Sequence, residues 1–161
     1  LYGHAIHLES RERARLRDVG AALVHCPTSN TFIGSGLFDM TLARDVRVGL
    51  ATDTGGGSSF SMLRTMAAAY EVAQLRGAAL HPAQLIWLAT QGSARALKAS
   101  HRIGAIIPGL EADLIALDLG STPAIAQRST RASDPWAALF PTIMMGYDRA
   151  IARLGIAARQ Q

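Results

Sequence analysis

One carboxylate stands where an acid could take part in catalysis. Asp53 follows the apolar residues 48–52 and precedes three successive glycines at 55–57. A short apolar run without alternation is typical of a strand buried on both faces of a parallel sheet. Ligands bind at the carboxyl ends of such strands. The same residues also suit a turn that Asp53 caps. The stretch therefore allows two interpretations, a functional carboxylate or a structural turn.

Histidines follow two other apolar runs. His4 lies near the end of residues 1–6, and His25 follows residues 21–24. A divalent metal held by histidine and aspartate lowers the pKa of a bound water to about 7 and leaves a position open for substrate. An aspartate in such a site can also take the proton from the attacking water. We therefore predict a hydrolytic metal centre that uses His4 and Asp53. Two or three ligands are too few for a catalytic zinc site, so the chain borrows ligands from elsewhere or binds metal poorly.

Other catalytic arrangements have less support. Cys26 is adjacent to His25, but neighbours on a strand point to opposite faces and do not easily form a nucleophile–base pair. Ser35 lies between glycines but lacks the G-x-S-x-G pattern of a nucleophile elbow. For His25 we favour structural packing over function. His81 precedes a proline and is best explained as the start of a helix. The sequence leaves open whether His7 reaches the site.

Strands and helices alternate through the first part of the chain. Three strand–helix units span residues 1–20, 21–45 and 46–77. This order predicts a parallel sheet with crossover helices. An open doubly wound sheet usually carries a G-x-G-x-x-G turn after its first strand, and none is present. A segment of a (β/α) barrel better explains polar residues at three successive strand ends.

The local signals place the remaining elements. Ser10 is a plausible N-cap for a helix that ends at Gly20, and Asp39 can cap a short helix. Further helices are expected over residues 62–76, 81–90, 93–99 and 134–145, and β-structure within 103–119. Residues 120–133 look irregular, and the tail 149–161 gives no clear signal. We expect two units, residues 1–102 and 103–161.

Size and composition exclude several classes of protein. The 161 residues are 49% hydrophobic and 17% charged, which indicates a globular chain. The net charge of +4 comes from scattered arginines, so nucleic-acid binding is not expected. No apolar run is long enough to span a membrane. The single cysteine, Cys26, allows no internal disulfide, and a reducing cytoplasmic compartment fits best.

Three motifs together resemble the amidohydrolase superfamily in its deaminase and chlorohydrolase branch. They are Gly3-His4-Ala5-Ile6-His7-Leu8, His25-Cys26-Pro27-Thr28-Ser29-Asn30, and Leu50-Ala51-Thr52-Asp53-Thr54-Gly55-Gly56-Gly57. The segment 103–114 is similar to the one that leaves the barrel of this family for a flanking β-sandwich. Residues 28–38 and 59–63 look most like the guanine deaminases of this branch.

The resemblance implies a fold and a reaction. The chain would be α/β, the C-terminal portion of a (β/α)8 TIM-type barrel with part of the flanking β-sandwich. Zinc would be the cofactor, Asp53 a zinc ligand and proton acceptor, and His4 a contact to the attacking oxygen or to a small purine substrate. The family's other three zinc ligands and its general-acid glutamate lie outside this sequence. We therefore expect a fragment that is inactive alone.

Some alternatives remain open at the level of sequence. The substrate could instead be an adenosine-type nucleoside or a triazine-like ring. A half-barrel would also leave strand edges uncovered, so a homo-oligomer is expected, and a non-catalytic half-barrel that self-associates is a further possibility. Residues 154–161 look unrelated to the strand with which the family completes its sandwich.

Overall fold

A computed structural model of the chain describes residues 1–158, with side chains described through residue 156. The chain forms five strands and seven α-helices in mixed α/β order within this range. The strands are β1 Tyr2–Gly3, β2 Ala22–His25, β3 Arg47–Leu50, β4 Ala112–Leu117 and β5 Ile151–Ala158. The helices are α1 Ser10–Asp18, α2 Pro27–Ile33, α3 Met62–Leu75, α4 Pro82–Trp87, α5 Ser93–Ala96, α6 Pro123–Ser129 and α7 Pro135–Met145.

The first three strands form one parallel sheet in the order β1-β2-β3. Tyr2 pairs with Leu23, and Leu23 pairs with Val48, so the register is continuous across the sheet. Parallel neighbours require crossover connections, which α1 and the segment from α2 to a short 3₁₀ helix at Met40–Arg44 provide. The prediction of successive strand–helix units with parallel strands is confirmed.

Both faces of β3 are covered, as its continuous apolar sequence predicts. Val48 and Leu50 belong to the main hydrophobic core, together with side chains of α3 and α7. On the other face, Gly49 touches α5, because a Cβ at this position would lie 2.8 Å from Ser93 Cα. The Ser93 hydroxyl accepts a hydrogen bond from the Leu50 amide at 3.0 Å. The strand that leads to Asp53 is therefore fixed on both sides.

Several helix boundaries follow the sequence signals. Ser61 caps α3, and the Asp39 carboxylate accepts a hydrogen bond from the Thr41 amide at 2.9 Å at the start of the 3₁₀ helix. Gly20 has φ +59° after α1, as expected of a glycine that ends a helix. A π-helical turn, Leu88–Gly92, joins α4 to α5. Within residues 1–158, no helix combines the length and apolar composition needed to cross a membrane.

The structure corrects the N-cap of α1. Glu9, not Ser10, is the N-cap residue, and its side chain forms a reciprocal capping box with Glu12. The Glu9 amide donates to the Glu12 carboxylate at 2.8 Å. A serine is a frequent N-cap, but here a glutamate pair satisfies the amides of the first turn, so Ser10 lies one residue inside the helix.

Two helices were not expected from the sequence. Pro27 begins α2, because proline is well tolerated in the first turn of a helix. Pro123 does the same for α6, where the Thr122 hydroxyl accepts a hydrogen bond from the Ile125 amide at 3.3 Å. The interpretation of residues 120–133 as irregular was therefore wrong for part of that segment.

The tail also departs from expectation. β5 pairs antiparallel with β4, with Leu114 opposite Gly155 and Ile115 opposite Leu154. This tail carries no clear signal in the sequence, but residues 151–158 form a strand in the structure. The side chains 151–154 are exposed, so they carry little local hydrophobic signal of a strand. Residues 159–161 of the predicted tail lie outside the described residues.

Candidate active site

His4 and Asp53 lie at the same edge of the parallel sheet. His4 follows β1 directly, and Asp53 lies three residues beyond the end of β3. The His4 Nε2 atom is 3.7 Å from the Asp53 Oδ2 atom, and both side chains remain about 40% exposed to solvent. Carboxyl ends of parallel strands form the ligand-binding edge in α/β folds. The two residues selected from the sequence therefore meet where a ligand would bind.

Unusual backbone conformations orient both side chains. His4 has φ +65° and Asp53 has φ +48°, in the left-handed region that residues other than glycine seldom occupy. Such conformations cost about 1–3 kcal/mol each and concentrate at functional sites. The His4 amide donates to the Val24 carbonyl at 2.9 Å, which holds the turn after β1 against β2. The Asp53 carbonyl accepts from the Gly56 and Gly57 amides, at 3.0 and 2.6 Å.

The glycines after Asp53 allow a close approach. A Cβ on Gly56 would lie 2.9 Å from both Asp53 Oδ2 and Ser29 Oγ. The buried Ser29 hydroxyl has no hydrogen-bond partner among the described residues. The Asp53 carboxylate therefore lies close to other polar groups at this edge of the sheet.

Cys26 is a third group at this position that the sequence analysis did not select. One ligand atom each of His4, Cys26 and Asp53 lies within 4.8 Å of the other two. The thiol is buried, and burial, followed by the nearby Asp53 carboxylate, raises its pKa. Its position directly after β2 was the available signal, since β2 lies between the strands that carry the other two residues.

The structure separates His25 from Cys26, as expected for neighbours around a strand end. The His25 ring is fully buried and stacks on Phe38, with ring centroids 4.5 Å apart. Burial lowers the pKa of His25 to about 3. Neither of its ring nitrogens has a hydrogen-bond partner among the described residues. This environment agrees with a packing role and not with a role at the site.

His7 and His81 lie in different surroundings. His7 lies beside His4 in an open pocket of about 270 Å³ that Ile6, Ile33 and Ser35 also line. Its Nε2 atom is 3.0 Å from the Ser35 carbonyl oxygen. His81 instead caps α4, where its Nδ1 atom accepts a hydrogen bond from the Ala83 amide at 3.2 Å. The structure therefore places His7 at the pocket and His81 at a helix start.

Asn30 is the second residue that the sequence analysis missed as a candidate. It lies on α2, is 1% exposed, and its Nδ2 atom is 3.1 Å from His4 Nδ1. The available signal was that Asn30 is an amide residue in the polar segment directly after β2. Its contact with His4 depends on helix α2, which was not expected and which turns Asn30 back towards β1.

Comparison with known proteins agrees with this geometry. The profile of the amidohydrolase family matches residues 3–146. Guanine deaminase of Escherichia coli is 37% identical over 161 residues, a match that covers 99% of this chain and 37% of that protein. The chain belongs to the amidohydrolase family.

Solved structures of amidohydrolases extend the comparison. The E. coli guanine deaminase structure superimposes with a TM-score of 0.94, covering 98% of this chain and 37% of that one. A guanine deaminase from Bradyrhizobium japonicum is 32% identical with a TM-score of 0.90, and the match covers 98% of this chain and 41% of that one. An adenosine deaminase from Xanthomonas campestris with bound zinc is 27% identical with a TM-score of 0.80, and the match covers 98% of this chain and 35% of that one. The chain thus spans between about a third and two fifths of each relative.

The site residues fit part of a zinc site. Imidazole nitrogen, carboxylate oxygen and thiolate sulfur are the protein ligands that zinc prefers. His4, Cys26 and Asp53 offer one of each, and their ligand atoms already lie within 4.8 Å of one another.

Proposed function

We propose that this chain supplies part of a zinc-dependent guanine deaminase, which converts guanine to xanthine and ammonia. The observation that carries the proposal is the 3.7 Å approach of His4 Nε2 to Asp53 Oδ2 at the carboxyl edge of a parallel sheet. The 37% identity to a guanine deaminase across the chain supports the choice of guanine. We further propose a cytoplasmic location, which the single cysteine suggests.

The proposed architecture follows from the same match. We assign β1, β2 and β3 to the sixth, seventh and eighth strands of a (β/α)8 barrel, so that residues 1–102 form its C-terminal part. Residues 103–161 would be part of a flanking β-sandwich, with β4 and β5 as paired strands, followed by the tail. A whole barrel needs about 250 residues, so the first five strands would come from sequence outside this chain.

In the proposed reaction each residue has a separate task. A zinc ion, when bound, would lower the pKa of a water molecule to about 7 and supply Lewis acidity. Asp53 would act as a zinc ligand, and its carboxylate would accept the proton that the attacking water loses. His4 would hold the attacking oxygen or the purine through Nε2. The water oxygen would bond to the amino-bearing carbon of guanine, and one of the two water protons would end on the adjacent ring nitrogen. The other proton would pass to the amino nitrogen as its bond to that carbon breaks, so that ammonia leaves and Asp53 is again ionised.

We propose that the chain is inactive alone. His4, Cys26 and Asp53 cannot supply the four-ligand set that the family resemblance implies, of which only Asp53 falls within this sequence. Zinc-dependent release of ammonia from guanine by the purified 161-residue chain would contradict this proposal.

A chimera tests the activity itself. The matching segment of E. coli guanine deaminase is replaced by this chain, and xanthine formation is followed by ultraviolet absorbance. We expect guanine turnover in the chimera, and its loss with reduced zinc content in the Asp53→Asn variant. A Gly3→Ala variant is the matched control, because a Cβ at Gly3 meets nothing within 4 Å. A folded, zinc-loaded chimera without guanine turnover would refute the proposal.

The same chimera separates the alternative substrates. Adenosine and a chlorinated triazine are assayed beside guanine, since one relative solved with bound zinc is an adenosine deaminase. Preference for adenosine or the triazine would favour the corresponding alternative within the family.

We also propose a function of a different class, in which copies of this chain associate with one another. β1 pairs only with β2 among the described strands, and Leu1 and Tyr2 are exposed beside its other edge. An uncovered strand edge favours pairing with a second chain. We therefore propose a homo-oligomer, to be tested by size-exclusion chromatography with light scattering; a stable monomer at high concentration would contradict it.

A further inference from the structure

The amide of Asn30 connects the candidate catalytic histidine to the loop after α2. Its Nδ2 atom lies 3.1 Å from His4 Nδ1 and 2.8 Å from the Ser35 hydroxyl oxygen. The side chain is almost completely buried, at 1% exposure. The Nδ2 atom thus has two hydrogen-bond partners, whereas the Oδ1 atom of the same side chain has none among the described residues. Loss of either Nδ2 contact would leave a further buried polar group unpaired.

We propose that Asn30 is a positioning residue that holds His4 as the tautomer with its proton on Nε2. An amide nitrogen can only donate hydrogen bonds, and a neutral imidazole has one donor nitrogen and one acceptor nitrogen. If Asn30 Nδ2 donates to His4 Nδ1, then Nδ1 presents its lone pair and the ring proton resides on Nε2. The Nε2 atom lies 3.7 Å from Asp53 Oδ2, so this proton is on the side of the ring that faces Asp53.

Contacts to Ser35 and within α2 hold this arrangement. The second Nδ2 hydrogen goes to the Ser35 hydroxyl, and the Ser35 main-chain amide donates to the main-chain carbonyl of Asn30 at 3.0 Å. The Asn30 main-chain amide in turn donates to the Cys26 main-chain carbonyl at 3.0 Å, so the residue is anchored within α2. The histidine is anchored separately by its own amide, which donates to the Val24 carbonyl. Two independently fixed backbones thus meet through one side-chain hydrogen bond.

The tautomer determines what His4 can do. An Nε2–H group donates a hydrogen bond to an oxygen or a carboxylate at the sheet edge, whereas an unprotonated Nε2 can only accept one or bind a metal. Asn30 would therefore make His4 a donor towards the attacking oxygen and disfavour it as a metal ligand through Nε2. This last step depends on the proposed function, but the tautomer itself does not.

Nuclear magnetic resonance of the ¹⁵N-histidine-labelled chain tests the inference. Long-range proton–nitrogen spectra are recorded on metal-free protein with a chelator, at mildly alkaline pH where a histidine ring is ordinarily neutral. The His4→Gln variant identifies the His4 signals. We expect Nδ1 to resonate as an unprotonated, pyridine-type nitrogen and Nε2 as a protonated, pyrrole-type nitrogen. The opposite assignment in the wild-type chain would overturn the inference without any variant of Asn30.

Two variants of similar shape isolate the amide. In Asn30→Asp the donor is replaced by an acceptor, so Nδ1 should gain a proton and its signal should move to the pyrrole-type range. In Ser35→Ala the second anchor is lost but the donor to His4 remains, so the Nε2–H tautomer should persist. An Asn30→Asp chain that folds and keeps an unprotonated Nδ1 would overturn the proposal. The measurement requires no turnover, so failure of the guanine assay leaves this result interpretable.

Discussion

Acid should destabilise this protein through a histidine that has no part in the proposed reaction. The His25 ring is buried, stacks on Phe38, and has no hydrogen-bond partner on either nitrogen among the described residues. Burial lowers the pKa of His25 from 6.5 to about 3 in the folded chain. The unfolded chain, where the ring is in water, therefore takes up a proton at this position far more readily than the folded chain.

The sign and size follow from proton linkage. Below about pH 6.5 the unfolded state binds a proton at His25 that the folded state does not bind until about pH 3, so the free energy of unfolding falls as the pH falls. A difference of one pKa unit between the folded and unfolded chains corresponds to about 1.36 kcal/mol of stability. His25 should therefore remove ~3 kcal/mol of stability at about pH 4.5 and ~4 kcal/mol at about pH 3.

Urea unfolding followed by circular dichroism measures this loss. Wild type, His25→Leu and Phe38→Leu are compared at about pH 7 and about pH 4.5, and the change in unfolding free energy between the two is the readout. We expect the His25→Leu chain to lose ~3 kcal/mol less than wild type on acidification. Phe38→Leu is the control, because it removes packing at both pH values and keeps the histidine. Equal losses in wild type and His25→Leu would refute the reasoning.

Two further predictions concern the close contacts around the site. Gly56→Ala should cost about 1–3 kcal/mol of stability, because its Cβ would lie 2.9 Å from the Asp53 carboxylate; Gly3→Ala, with open space, is the control in the same urea assay, and equal effects would contradict the argument. Ser93→Ala should cost about 1–3 kcal/mol, because it leaves a buried amide of β3 without its acceptor. Ser10→Ala is the control for this variant and should change stability by less than about 0.5 kcal/mol, since Ser10 does not cap α1. Equal costs for Ser10→Ala and Ser93→Ala would contradict the argument that the Ser93 hydrogen bond stabilises β3.

The local signals were reliable where one residue type determines a conformation. Gly20 ended α1 and Asp39 began the 3₁₀ helix as expected, because the residue type itself decides whether a left-handed conformation or a side-chain acceptor is available. The apolar run before Asp53 was recognised for a similar reason, since a strand buried on both faces needs apolar residues at every position.

The errors arose where a pattern allows two structures. No helix was expected directly after His25, but Pro27 occupies the first turn of α2 without losing a needed hydrogen bond. β5 was not expected, because its exposed side chains show no burial pattern and its strand form depends on pairing with β4, more than 30 residues earlier in the chain. Pairing energy of this kind is absent from the local sequence.

The sequence by itself determined which chemical groups stand at the ends of three parallel strands, since the strand pattern and the identities of His4, Cys26 and Asp53 can be read directly. Only the tertiary structure decided that these three groups converge, that His25 turns into the core, and that Asn30 reaches back to His4. The physical reason is that convergence depends on the left-handed turns at His4 and Asp53 and on the path of α2. Contacts between distant segments hold those turns and that helix in place, and no short stretch of sequence contains them.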